Sequence, residues 1–143
     1  SACVNRIIMP QTTKWKIIMT LQIAELPQKG VLVVRGPDAK TFLQGQLTCD
    51  MNLISPERSS LGAQCNLQGR VHSLFRIIQQ TEENSYALLM PKTLVPIAQA
   101  GLKKYALFSK VTIEPLEGCL VLGISGNEVS TIIESIVHNQ AYI

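Results

Sequence analysis

A run rich in β-branched residues that ends at a Gly-Pro-Asp turn constrains the fold of this chain more than any other feature. The run is Val31–Arg35, and the turn residues 36–38 follow it directly. β-branched residues favour strands, whereas glycine and proline favour turns. Pro37 suits a first helical position, and the apolar residues after it recur at helical spacing, at Ala39, Phe42, Leu43 and Leu47. The segment therefore predicts a strand, a tight turn and a helix.

The remaining patterns predict further strands and two more helices. Strand-like runs at 61–65 and 71–80 flank a turn at Gly69, and others lie at 85–90, 110–113 and 120–124. A second helix is predicted to open at Pro91, and a third runs from an Asn127 cap to Val137. Apolar residues at helical spacing mark the second helix, namely Leu94, Val95, Ile97, Ala98, Leu102 and Tyr105. These elements predict an α+β fold, with an antiparallel or mixed sheet and about three helices.

The domain organisation expected from the chain is a short leader and one domain. Residues 1–20 show no clear period and are predicted to be an N-terminal leader, in part a tag remnant or a processed start. Residues 21–143 are predicted to form a single domain. Charged residues make up 16% of the chain, against about 25% in ordinary globular proteins. We therefore expect some apolar surface to be covered by a domain that this chain does not contain.

Charge and cysteine usage exclude several classes of function. The net charge of +3 is spread along the chain without a long basic run, so neither non-specific nucleic-acid binding nor direct DNA binding is expected. Its four cysteines lie too far apart in sequence for a zinc knuckle or a CxxC motif, which favours reduced thiols in the cytoplasm. His72 and His138 are isolated, so no metal site is expected. No apolar run approaches the roughly 20 residues that cross a bilayer.

Three segments resemble the N-terminal part of YgfZ-type proteins, which are similar to the glycine-cleavage T-protein, an aminomethyltransferase. They are 34–50, 62–70 and 102–113, in the family's order and spacing. The resemblance implies the split β-α-β (ferredoxin-like) domain of the T-protein fold, here as one wall of a channel for tetrahydrofolate or another folate form. It also implies a role in iron–sulfur protein maturation or repair and in tRNA modification, with iron–sulfur client proteins as partners. The family's later Lys/Arg-Gly-Cys-Tyr-x-Gly-Gln-Glu motif does not occur in this chain.

The T-protein resemblance also bears on catalysis. The T-protein carries its catalytic carboxylate in the pattern Asn-x-x-Gly-Gly-x-x-Asp-Asp-Leu, and this chain has Ser73 and Leu74 at the acidic pair. Neither side chain can act as a general acid or base at neutral pH. We therefore do not expect the chain to be an enzyme, and aminomethyl transfer is the alternative function. Asp50 is retained in a family motif, and it either serves the site or bonds turn amides.

Five residues are candidates for folate binding by this resemblance: Lys29, Gln64, Ser73, Leu74 and Arg76. An arginine fork suits a glutamyl carboxylate, and strand alternation places Arg76 on the same face as Leu74. The Gln64 amide could bond a pterin edge, and Lys29 replaces a bulky family side chain. For Lys29, Gln64 and Arg76 the alternative is simple exposure to solvent.

The segment after the second helix has its own interpretations. We expect Tyr105 and Phe108 to pack that helix on the sheet. Lys103, Lys104 and Lys110 either face solvent or meet an anionic tail or RNA. A third function class, a protein-interaction module with an exposed apolar face, is supported only by the low charge.

Overall fold

The computed structural model describes residues 21–126, 129–130 and 133–134. The predicted leader lies outside these residues, and so does most of the predicted third helix, of which only Val129, Ser130, Ile133 and Glu134 are described, all four as helical. The strands are β1 (Gln22–Glu25), β2 (Lys29–Arg35), β3 (Ser60–Cys65), β4 (Val71–Gln79), β5 (Ser85–Pro91), β6 (Thr112–Pro115) and β7 (Leu122–Ser125). The helices are α1 (Ala39–Gln46) and α2 (Val95–Lys103), and short 3₁₀ turns lie at Met51–Leu53 and Lys92–Leu94.

The contacts divide the chain into two compact units. The larger one contains Pro27–Cys119, and the smaller one is built from the segments on either side of it. In the smaller unit β1 pairs antiparallel with β7, and the Leu26 amide donates to the Val121 carbonyl at 2.8 Å. The predicted strand at 120–124 therefore belongs to a second sheet. Its partner β1 was not predicted, because its residues, Gln-Ile-Ala-Glu, form neither an apolar nor a β-branched run.

The larger unit contains a five-stranded antiparallel sheet in the order β3-β4-β5-β2-β6. Strands β2 and β4 are each antiparallel to β5, so they run parallel to one another with β5 between them. This is the split β-α-β arrangement, in which the connection from β2 to β4 contains α1. The unit β5-α2-β6 has the same arrangement, with β2 lying between its two strands. The predicted α+β class, the antiparallel sheet and the hairpin at Gly69 are confirmed, and Gly69 takes the positive φ of 77° that such a turn requires.

Both helices pack on one face of this sheet and form a single core with it. Helix α1 contributes Phe42 and Leu43, and α2 contributes Ala98 and Leu102. The strands contribute the alternate residues that point to this face, among them Leu32, Val34, Phe75, Ile77, Leu88 and Met90. Burial of these side chains is the main stabilising contribution, since each is worth about 1.5 to 3 kcal/mol.

Several predicted element boundaries are wrong. Helix α1 begins at Ala39, so Pro37 lies outside it. The Asp38 carboxylate does not cap this helix, because it accepts from the Lys110 amide at 2.8 Å. Pro91 ends β5 rather than opening α2, which begins at Val95 after a 3₁₀ turn. The strand expected at 110–113 lies at Thr112–Pro115, because residues up to Ser109 continue a series of turns after α2.

Candidate functional site

The face of the five-stranded sheet opposite the helices carries a continuous row of side chains across four strands. In the register Leu61 pairs with Arg76, Arg76 with Leu89, and Leu89 with Val31. Directly opposed residues in antiparallel strands point to the same face. Leu61 is 58% exposed, and Arg76, Leu89 and Val31 are half-buried. We call the surface formed by this row, with Leu74 and Ile78, the open face.

Arg76 lies at the centre of the open face with apolar residues on four sides. Leu61 and Leu89 flank it across the strands, and Leu74 and Ile78 lie two positions away along β4, on the same side of the strand. Leu74 is 56% exposed. Among the described residues, the Arg76 guanidinium donates one hydrogen bond, from Nη1 to Ser59 Oγ at 3.1 Å, and it has five N–H groups in all. The arrangement presents one fixed positive fork within an apolar surface, which suits a flat apolar ligand that carries a carboxylate.

Lys29 lies at a corner of the same face, on β2 opposite Pro91. Next to it is a groove of about 420 Å³, lined by Pro27, Gln28, Lys29, Pro91, Lys92 and Thr93. The two chain segments that line the groove are joined by a hydrogen bond of 2.8 Å from the Lys92 amide to the Gln28 carbonyl. Two lysines line this groove, so it can attract anions that extend past the open face.

Gln64 and Ser73 lie on the opposite, helix-covered face, so the structure separates them from the other three candidates. They pair across β3 and β4, and both are buried. A Cβ added at Gly101 of α2 would lie 2.9 Å from the Gln64 amide, so the helix packs directly on this side chain. Among the described residues, neither Gln64 Oε1 nor Ser73 Oγ has a hydrogen-bond partner. The exposed position considered for Gln64 is therefore not observed.

The unpartnered Ser73 hydroxyl predicts an asymmetry between two buried serines. Replacing Ser73 by alanine is expected to leave the free energy of unfolding unchanged or to raise it, because the variant removes a buried polar group that makes no bond. Ser85 is equally buried, but its hydroxyl bonds Gln80 Oε1 at 2.5 Å. Ser85→Ala should therefore cost about 1 kcal/mol. Urea unfolding of both variants measures the difference, and an equal loss in both would contradict the assignment.

The hairpin between β3 and β4 contains the stretch in which the T-protein pattern has its acidic pair. Asn66 Oδ1 accepts from the Gln68 and Arg70 amides at 3.0 and 2.8 Å, which fixes the turn. Ser73 and Leu74 follow on β4 and point to opposite faces, and neither supplies a carboxylate. Asp50 accepts from the Asn52 amide at 2.9 Å and caps a 3₁₀ turn. The turn-bonding interpretation of Asp50 is therefore confirmed.

The cysteines and histidines offer no metal centre in the part of the chain that is described. No group of three His, Cys, Asp or Glu side chains that could hold a metal ion occurs among these residues. Cys49 packs against Gly62 under the sheet. Burial raises the pKa of the Cys49 thiol, a backbone hydrogen bond partly offsets that rise, and the charge of Asp50 adds to it. Cys49 is thus a neutral thiol at physiological pH, as expected for a small core residue. His138 lies outside the described residues.

Comparison with known proteins places the chain in a family. No protein-family model matches it. A tRNA-modifying protein YgfZ from Vibrio atlanticus is 35% identical over 123 residues, which are 86% of this chain and 37% of that relative. The protein of the same name from Photobacterium profundum is 37% identical over 114 residues, which are 80% of this chain and 34% of that relative. The chain belongs to the YgfZ family. It spans about a third of the length of these YgfZ relatives.

A solved structure supports the fold of this YgfZ family member. The glycine cleavage aminomethyltransferase T from Bartonella henselae aligns with a TM-score of 0.70 over 80% of this chain and 31% of that protein, at 18% sequence identity. The likeness at this identity concerns the fold alone, and it confirms the predicted T-protein-like domain. Among the described residues, no helix is long and apolar enough to cross a membrane.

Three residues of the open face were not singled out in the sequence. Leu61, Ile78 and Leu89 surround Arg76, but they look like ordinary core residues of β3, β4 and β5. The only signal was the alternation in β4, which places Ile78 with Arg76 and Leu74. Leu61 and Leu89 depend on the register between strands, which local periodicity does not specify.

Proposed function

We propose that the chain is one wall of a tetrahydrofolate site in a YgfZ-type factor. The observation that carries the proposal is the open face, where Arg76 is the fixed charge within an apolar surround. The pterin and aminobenzoyl rings of a folate are flat and largely apolar, and its glutamate carries carboxylates. The apolar row suits the rings, and the guanidinium suits a carboxylate. Lys29, Leu74 and Arg76 share this face, whereas Gln64 and Ser73 are buried on the helix-covered face of the same sheet.

We propose further that the whole factor acts in the cytoplasm in tRNA modification and in the maturation or repair of iron–sulfur client proteins. The names of the relatives support the tRNA role. The iron–sulfur role rests on the family resemblance of segments 34–50, 62–70 and 102–113. The alternative, aminomethyl transfer, is not favoured, because Ser73 and Leu74 provide no acid or base where the T-protein has its carboxylates.

The test of the folate proposal compares the chain alone with a chimera. The chain alone is expected to bind tetrahydrofolate weakly, because ligand pockets bury about 70 to 90% of a ligand and one open sheet face cannot do so. The chimera replaces the matching 123 residues of the Vibrio atlanticus relative by this chain. We expect the chimera to bind tetrahydrofolate with micromolar or better affinity in anaerobic calorimetry. A chimera that folds but binds no folate would contradict the proposal, and sub-micromolar binding by the chain alone would contradict the need for further walls.

The groove beside Lys29 predicts a preference for longer folate tails. About 12 Å separate the Cα positions of Arg76 and Lys29, since two strand spacings and two residues along a strand lie between them. A tail of two or three glutamates can span this distance. We therefore expect the chimera to bind triglutamyl tetrahydrofolate about three- to tenfold more tightly than the monoglutamate.

Single lysine variants of the chimera test this preference. Lys29→Ala and Lys92→Ala should each reduce the advantage of the triglutamate and leave monoglutamate binding nearly unchanged. The matched control is Lys40→Ala, which removes an exposed lysine on α1, on the helix-covered side of the sheet. Equal affinity for the two ligands in the unmodified chimera would remove the groove from the site.

A further inference from the structure

The segment that follows α2 is an ordered loop, which we call the aromatic loop (residues 104–110). Consecutive turns hold its backbone: the Tyr105 amide donates to the Leu102 carbonyl at 3.1 Å, and the Ser109 amide donates to the Ala106 carbonyl at 3.0 Å. Its end is tied to the start of α1 by the bond from the Lys110 amide to the Asp38 carboxylate. The loop therefore presents its side chains in fixed positions.

The side chains of the aromatic loop face solvent. Phe108 is 100% exposed, Leu107 is 81% exposed and Tyr105 is 46% exposed. The prediction that Tyr105 and Phe108 pack α2 on the sheet is therefore wrong, because the chain turns away from the sheet after Lys103. Phenylalanine is seldom fully exposed, and a cluster of such residues on fixed backbone marks a contact surface.

The exposed charges on the loop itself are positive, and the Asp38 carboxylate beside it accepts from the Lys110 amide. Lys103, Lys104 and Lys110 are exposed, and no acidic residue occurs between positions 101 and 113. Lys104 Nζ lies 5.6 Å from the centre of the Tyr105 ring, so a cation and an aromatic face are presented together. A surface with this composition suits a polyanion that also carries flat rings.

A polar cleft of about 350 Å³ opens beside the loop, at the lower end of the size range of ligand pockets. Its walls are Asp38, Thr41, Phe42, Gly45, Gln46, Tyr105 and Ser109. A Cβ at Gly45 would meet no atom within 4 Å, so this side of the cleft is open. The hydroxyl, amide and carboxylate groups of the cleft can pair with the donors and acceptors of a base edge, while Tyr105 offers an exposed ring.

We propose that the aromatic loop and this cleft bind single-stranded RNA. In this arrangement Phe108 and Tyr105 stack on bases, one base enters the polar cleft, and Lys103, Lys104 and Lys110 contact the phosphates. The exposed lysines on and beside the loop favour RNA over an uncharged protein surface, because phosphates supply the complementary charge. The inference extends the tRNA part of the proposed function and does not depend on folate binding.

The experiment is fluorescence anisotropy of the chain with two labelled probes, a tRNA and an unstructured RNA of about a dozen nucleotides. We expect both to bind, and Phe108→Ala to weaken binding about fivefold to a hundredfold, the usual range for loss of one stacked base. Lys104→Ala should lower the slope of log affinity against log salt by about 0.7. The matched control is Leu67→Ala, which removes a nearly fully exposed leucine at the β3–β4 turn and should bind RNA like the unmodified chain.

Circular dichroism melting should show that Phe108→Ala folds normally, since its side chain buries no area. The proposal is overturned if the chain binds neither probe, or if Phe108→Ala and Leu67→Ala bind RNA equally well. It is also overturned if the lysine variant leaves the salt slope unchanged. Folate binding of the same variants in the chimera should be unaffected, so a failure here leaves the folate proposal intact, and a failure of the folate test leaves RNA binding intact.

Discussion

Replacing Gly36 by alanine is expected to lower the free energy of unfolding by about 3 kcal/mol or more. Gly36 links β2 to α1 with a φ of 135°, in a region that residues with a side chain rarely adopt. An added Cβ would lie against the Lys110 carbonyl oxygen, well inside van der Waals contact, and 3.0 Å from Val111 Cα. Both obstacles are backbone, so neither can rotate away. The backbone strain at this φ and the steric overlap of the added Cβ therefore both destabilise the variant.

Two other glycines serve as graded controls for this prediction. Gly69 also has a positive φ, of 77°, but a Cβ there would meet no atom within 4 Å, so Gly69→Ala should cost about 1 kcal/mol from strain alone. Gly45 lies in α1 with neither a positive φ nor an atom close to an added Cβ. Gly45→Ala should therefore raise the free energy of unfolding by about 0.5 to 1 kcal/mol. Urea unfolding of the three variants measures the series. If Gly36→Ala destabilised no more than Gly69→Ala, the close approach of the Lys110 carbonyl would be refuted.

Replacing Arg76 by alanine is expected to weaken tetrahydrofolate binding to the chimera about ten- to a hundredfold. The variant removes a charge-assisted hydrogen bond to a carboxylate, worth about 1.5 to 3 kcal/mol. The melting temperature should move little, because Arg76 is half-buried and water can satisfy the Ser59 hydroxyl that accepts from its guanidinium. Affinity should therefore fall much more than stability.

Two further variants, one conservative and one a control, test the prediction for Arg76. Arg76→Lys keeps the charge but not the planar fork, so it should recover part of the affinity. Arg70→Ala removes an exposed arginine at the hairpin turn and should bind folate normally. Calorimetry and thermal melting of the same preparations separate the two roles. A large fall in melting temperature with unchanged affinity would show that Arg76 supports the fold and would remove it from the site.

Local patterns in the sequence predicted the parts of the fold that depend on local chemistry. The strand at 31–35, the turn at Gly69 and the alternation of β4 all follow from residues close together in sequence, and the structure confirms them. The alternation was enough to place Arg76 and Leu74 on one face. The likeness to the T-protein fold came from the family resemblance and not from these patterns.

The parts that sequence could not provide depend on partners distant along the chain. Gln64 has the alternation of a strand residue, but only the position of α2, which packs on Gln64 at Gly101, decides that its face is covered. Tyr105 continues the helical spacing of α2, yet the helix ends at Lys103 and the chain turns outward. Strand β7 joins β1 and not the main sheet, and this pairing joins segments about a hundred residues apart, which a local pattern does not report. Periodicity predicts the secondary structure of a segment but not which other segment packs against it.

The strand order has a consequence for how the chain folds during synthesis. Strand β2 is made early, but its two neighbours, β5 and β6, emerge much later, since Leu32 pairs with Leu88 and Val34 with Ile113. The β3–β4 hairpin, in contrast, closes on its own through a short turn. At about 5 to 20 residues per second, β2 waits several seconds without a partner after it leaves the ribosome. Its apolar run therefore stays exposed until β5 emerges, and a chaperone that binds it in this interval would protect it from aggregation.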